Sequence, residues 1–127
     1  MRLQEARALR RAGLHAGAYY LAGYAIECAL KACIAKMTVR HAFPDKAFMN
    51  KIYTHDLEAL VKLANLEQAL LNDCKQQKPL ELNWQIVRDW TEEARYRPVI
   101  SAIVARDMTS ACVSQQHGIL SWVRARW

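Results

Sequence analysis

The sequence predicts an all-α fold, and three observations carry that prediction. No stretch alternates apolar and polar residues with a period of two. Turn-forming residues fall between long uninterrupted stretches rather than every ten residues or so. Within those stretches, apolar residues recur at three- and four-residue spacings, the signature of a helix face. At 127 residues, 53% of them hydrophobic, the chain has the size of one domain spanning 1–127 and can bury a core without metal or disulfide staples.

Taken in order, the first helix covers about Arg2 to Ala12 and stops near Gly13. The second runs from about Ala18 to Met37, and "HAFPD" breaks the pattern at Pro44, where the ring removes a donor and blocks helical hydrogen bonding. "THDLEALVKLANL" opens the third, with Thr54 as cap, Asp56 and Glu58 in the positive first turn, and Leu57, Leu60, Val61 and Ala64 on one face. A short helix around Glu67 to Cys74 leads to "KQQKPLELN", read as a polar linker carrying Pro79. Asn83 then caps a fourth helix through "WQIVRDWTEEA", in which Trp84, Val87 and Ala94 share a side with Thr91 between them. Pro98 disfavours helical geometry at Arg97, so "RYRP" is expected to be a corner. A fifth helix spans roughly Val99 to Gln116, Gly118 marks its end, and "ILSWVRARW" adds a last amphipathic turn or two.

The second helix sorts into three seams of different chemistry. Ala18, Ala22, Ala25, Ala29 and Ala32 form a small-residue stripe; Tyr19, Gly23, Ile26, Leu30, Cys33 and Met37 form a bulkier one; Tyr20, Tyr24, Glu27 and Lys31 form the polar one. A helix apolar on two faces must be central, and alanines admit close approach by a neighbour, so this helix is expected to be the spine of a bundle. It does not read as a membrane span: each central charge costs roughly 2.5–3.5 kcal/mol at the middle of a bilayer. Two readings of the Glu27–Lys31 spacing stand. One is an exposed i,i+4 pair worth about 0.2–0.5 kcal/mol; the other makes the polar seam, with its tyrosines, the wall of a ligand cleft.

Charge is uneven. Residues 1–40 hold seven basic and two acidic side chains, and Arg7, Arg10 and Arg11 crowd one short segment, which suits a phosphate backbone, an acidic partner chain or simply a solvated basic face. Cys28, Cys33, Cys74 and Cys112 show neither paired spacing nor histidines at ligand distance, so they read as small buried hydrophobes and no metal is expected. The opening residues, with Arg2, Glu5 and Arg7, do not read as a secretory signal, so the expected location is cytoplasmic.

The stretches "YYLAGYAIECALKACIAK", "YTHDLEALVKLA", "NWQIVRDWTEEARY" and "HGILSWVRARW", in that order, resemble the small prokaryotic proteins of the HEPN superfamily, the higher eukaryotes and prokaryotes nucleotide-binding domain. The resemblance implies a four-to-five-helix, mostly up-and-down bundle that pairs into a homodimer. It also implies a minimal nucleotidyltransferase as partner, in a toxin–antitoxin or defence-type system, with nucleotide or RNA as ligand and no cofactor. Catalytic members carry an arginine, four to six residues and then a histidine in the C-terminal half. This chain departs from that pattern: after Arg95, Arg97 and Arg106 the histidine is His117, too far along to share the required turns. Arg10 and His15 have the right spacing but lie at the end of the first helix, and the match is read as coincidence.

Three functions therefore stay open: a homodimer binding nucleotide or RNA, an atypical metal-independent ribonuclease toxin, and a non-catalytic interaction module. The ligand-binding candidates are Tyr24, Glu27, Lys31, Arg95 and Tyr96, where Arg95 would grip a phosphate in a forked contact and Tyr96 would stack on a base. Arg95, His55 and His117 are the catalytic candidates. The duller roles are equally specific: Arg95 satisfying last-turn carbonyls, Tyr96 plugging the core, His55 at a helix start and His117 at a helix stop. Trp84, Trp90, Trp122 and Trp127 are read as core and dimer-face bulk.

Overall fold

The computed structural model describes residues 2–41, 46–91 and 100–126, and the side chains of these except 38–41. All the regular structure among them is helical: α1 (Arg2–Arg11), α2 (His15–His41), α3 (Lys46–Ile52), α4 (Leu57–Leu63), α5 (Glu67–Gln76), α6 (Lys78–Arg88), α7 (Ala102–Val113) and α8 (Ile119–Arg124). Five of these, α1, α2, α5, α6 and α7, have ten residues or more, which accommodates the expected four-to-five-helix frame; the other three are shorter and pack against the same core.

Helix α2 is the spine. It extends further at both ends than its apolar pattern suggested, to 27 residues, and α1, α4, α7 and α8 all pack against it. Ala18, Ala22, Ala25 and Ala29 are buried as the close-approach stripe requires, whereas Ala32 is exposed. Ile26, Leu30 and Ile34 are wholly buried, each contributing about 1.5–3 kcal/mol of transfer free energy. No helix among the described residues is long and apolar enough to cross a membrane. Trp84, Trp90 and Trp122 lie in the core as expected; Trp127 falls outside the described residues. Of the cysteines, Cys33, Cys74 and Cys112 are buried and Cys28 is exposed. Burial pushes the Cys112 thiol up to about 12, so it stays a protonated hydrophobe.

The local rules decide several boundaries differently from the periodicity. Thr54 does not cap the helix it precedes; Asp56 does, its Oδ1 accepting from the backbone N–H of Glu58 and Ala59, while Thr54 Oγ1 accepts from Asp56 N–H. A carboxylate at that position also meets the positive helix end, which a hydroxyl cannot match. At the other end Asn65 turns left-handed at φ 59°, and the N–H groups of Asn65 and Leu66 donate to the carbonyls of Lys62 and Val61, closing α4 within two turns.

The segment read as a linker is helical apart from Gln77: Lys75 and Gln76 end α5, and Lys78 to Asn83 are the first half of α6. Pro79 sits in its opening turn, where its missing N–H has no intrahelical partner to lose, and Leu80, Trp84 and Val87 bury one face. Asn83 is therefore mid-helix, and its side-chain N–H donates to the carbonyl of His117 at 2.9 Å. Ser101 caps α7 and its Oγ accepts from Val104 N–H, so that helix starts after the expected Val99. Gly118 is not a left-handed stop: its φ is −70° and it opens α8. Glycine is needed there for space, because a Cβ would lie 2.3 Å from the backbone oxygen of Ser114.

With six residues, α8 is too short to persist alone. It is fastened to α5 by Asp73, which accepts from Trp122 Nε1 at 2.9 Å and from the Arg126 guanidinium at 2.6 Å, while that guanidinium lies 3.8 Å over the Trp122 ring. Pro44, Arg97 and Pro98, the expected breaks, fall outside the described residues.

Candidate functional site

Among the described residues, two buried polar side chains stand out in the interior, Thr109 and Glu27. Thr109 is satisfied within its own helix, donating to the carbonyl of Ala105. Glu27 is different: it is only 2% exposed and belongs to the middle of the spine. An isolated carboxylate there would be prohibitively desolvated, so its partners decide whether the site is tolerable. They are His55, whose Nδ1 lies 2.6 Å from Oε1, and Lys31, whose Nζ lies 3.4 Å from Oε2. The reading of Glu27–Lys31 as an exposed surface pair is thereby overturned. Helix amphipathicity places Glu27 on a polar seam, but α4 and the turn before it cover that seam.

A carboxylate only accepts, so the His55 Nδ1 carries the hydrogen and the imidazole is fixed in tautomer and orientation by the spine. The His55 ring lines an open cleft of about 690 Å³ whose other walls include Tyr53, Asp56, Glu58, Arg88, Asp89, Trp90 and Thr91. Two chain turns build it: the Tyr53–Asp56 segment before α4 and the end of α6. Tyr53 is 72% exposed, an aromatic face presented to solvent. Arg88 ends α6, with Asp89 4.0 Å away in a loose surface pair. Beside His55, the charged side chains lining the cleft are Arg88 and the carboxyl groups of Asp56, Glu58 and Asp89.

The remaining sequence-derived candidates distribute around it. Tyr24 does not reach the cleft; its ring stacks on Tyr20 at 5.9 Å under the Arg2 guanidinium, 5.1 Å above it. Its phenol is pushed above the ordinary value, chiefly by the neighbouring Cys28 sulfur, with Arg2 acting in the opposite sense. Tyr20 continues the stack to Trp90, 6.0 Å away, and so to the cleft floor. Glu27 and Lys31 are not among the residues lining the cleft; Glu27 holds His55, which is, and Lys31 pairs with Glu27. His117 lies in the turn between α7 and α8; its carbonyl is taken by Asn83, and its Nδ1 is buried without a partner among the described residues. Arg95 and Tyr96 fall outside the described residues.

Sequence reasoning missed Tyr53 and Arg88. Both had a signal: an aromatic immediately before a capping Thr-His-Asp run has no apolar helix face to join, and a last-turn arginine beside an aspartate has no need of the helix end alone.

A family model described as the HEPN domain matches residues 1–126. Neither a comparison with curated proteins nor one with solved structures finds a match.

Proposed function

The chain belongs to the HEPN-domain family, and on that premise we propose that it binds a nucleotide or a short RNA segment in the cleft around His55, as a single-domain cytoplasmic homodimer. The observation that carries this reading is the imidazole anchored to a buried carboxylate in one cleft with a guanidinium and an exposed aromatic ring. Tyr53 offers the base a stacking face, Arg88 is the cation for a phosphate, and Asp89 and Glu58 are acceptors for ribose hydroxyls. Arg95 and Tyr96 follow the cleft-lining Thr91 within five residues of sequence and are assigned to the same ligand. The family premise supports a nucleotidyltransferase partner in a toxin–antitoxin or defence pair, and exposed Ile103 and Val104 offer apolar area for pairing.

Quenching of tryptophan fluorescence on titration with mononucleotides and with single-stranded RNA tests the ligand. Arg88→Ala and Tyr53→Ala are each expected to weaken binding by about tenfold, the loss of roughly one charge-assisted contact or one stacked base. Saturation curves unchanged by both variants would assign the ligand elsewhere.

One observation favours a second reading, the metal-independent ribonuclease: the carboxylate–imidazole pairing that orients a general base. His55 would take the ribose 2′-hydroxyl proton. The 2′-oxygen would bond to phosphorus as the bond to the 5′-oxygen breaks, and that oxygen would leave with a proton from water, with Arg88 or Arg95 facing the phosphorane charge. Purified dimer in chelator is then expected to leave 2′,3′-cyclic phosphate ends, with His55→Ala and Arg95→Ala each inactive. Intact RNA after prolonged incubation removes this reading and leaves the binding one.

A further inference from the structure

A second cavity lies where the end of α1 meets the starts of α2 and α7. It encloses about 360 Å³ and is lined by Arg10, Arg11, His15, Ala102, Ile103 and Arg106. Three guanidiniums and an imidazole, drawn from three helices, thus line one space whose lining among the described residues includes no carboxylate. The turn between α1 and α2 produces this convergence. Gly13 adopts φ 81° and Leu14 N–H donates back to Leu9 at 2.8 Å, which folds the last turn of α1 over His15. Arg10 and His15 are therefore brought together by a reversal of the chain rather than by sharing a helix face.

Like charges held together repel, and an anion seated among them offsets that repulsion. Here the usual internal partner is missing among the described residues. Arg10 Nε and His15 Nδ1 are both shielded from solvent and neither has a hydrogen-bond partner. Native interiors leave few such groups, and each one asks for an explanation. Arg106 has Asp107 at 3.7 Å, but both are half-exposed, so that pair is weak and displaceable. The first turns of α2 and α7 carry no acidic residue, so their positive ends add to the same potential.

The geometry points to a phosphoryl-binding site in this cavity, distinct from the His55 cleft. Guanidiniums present paired donors that match the oxygens of a tetrahedral anion, and three of them with one imidazole exceed what the two oxygens of a carboxylate can accept. Ala102 and Ile103 supply an apolar wall, and the volume leaves room for the sugar to which the phosphate is attached. The phosphate is either the terminal group of a mononucleotide or a backbone diester of RNA, and this inference does not depend on which ligand the His55 cleft takes.

The test follows the His15 ring and Arg10 Nε–H resonances by NMR during titration with inorganic phosphate, with adenosine 5′-monophosphate, and with single-stranded RNA bearing no terminal phosphate. Saturable shifts with phosphate and the mononucleotide alone identify a terminal-phosphate site; tighter saturation with the RNA identifies a backbone site. Arg11 and Arg106 are exposed, so Arg11→Glu and Arg106→Glu leave the core intact. Each is expected to weaken binding at least tenfold, while His55→Ala and Arg88→Ala leave these shifts unchanged. Resonances that do not move at millimolar ligand, shifts that persist in both charge reversals, or equal binding of oligoglutamate overturn the assignment.

Discussion

Trp90→Ala is expected to lower the stability of the fold by about 3–5 kcal/mol, the range for removing a large aromatic from a packed core. The indole is 2% exposed and lies against the spine at Gly23, where an added Cβ would stand 2.3 Å from three of its ring atoms. That contact makes a second, sharper expectation. Alanine is the better helix former by about 1 kcal/mol, but forcing a methyl group into a filled space costs about 1–3 kcal/mol. Gly23→Ala should therefore destabilise the native chain and stabilise the Trp90→Ala variant. Urea unfolding of the four proteins in a double-mutant cycle measures the sign change. Additive effects would mean that the helix and the ring are not in contact.

His55→Ala is expected to cost about 2–3 kcal/mol, more than an exposed histidine warrants, because among the described residues it leaves the buried Glu27 carboxylate with Lys31 as its remaining partner. The cost stays below that of a fully stranded charge since Lys31 Nζ remains 3.4 Å away. Glu27→Leu behaves differently. It removes the charge together with its desolvation and fills the space with carbon, so stability is expected to be unchanged within about 1 kcal/mol or to rise. The double variant should be more stable than His55→Ala alone. Unfolding midpoints at neutral pH decide it: equal losses from the two single changes would show that Glu27 is solvated. Ligand binding should fall in Glu27→Leu even where stability does not, since the imidazole then loses the group that orients it.

The two halves of that cluster illustrate how much was legible beforehand. Glu27 and Lys31 declare themselves by their four-residue spacing on an otherwise apolar helix, and the spine itself follows from the alanine stripe. That Glu27 is buried does not follow, since burial depends on a partner segment 28 residues away whose own pattern says nothing of α2. His55 was noticed for its place before Asp56, yet its function at the site comes from the bond to Glu27. Two helix starts were misplaced for a related reason. Asp56 and Pro79 act through single hydrogen bonds, made or not needed, and periodicity over long windows averages such details away.

The sequence by itself determined that the chain is helical, that residues 18 to 37 form its central rod, and that its family is HEPN. These are properties of spacing and order along the chain, which local geometry translates directly into faces. Only the tertiary structure decided which charges are buried and which cationic side chains share a space. Glu27 meets His55, and Arg10, Arg11 and Arg106 meet His15, across segments far apart in sequence or around a left-handed turn. The physical reason is that desolvation and electrostatic repulsion depend on distance in space, and a chain's order fixes that distance only after its helices have packed.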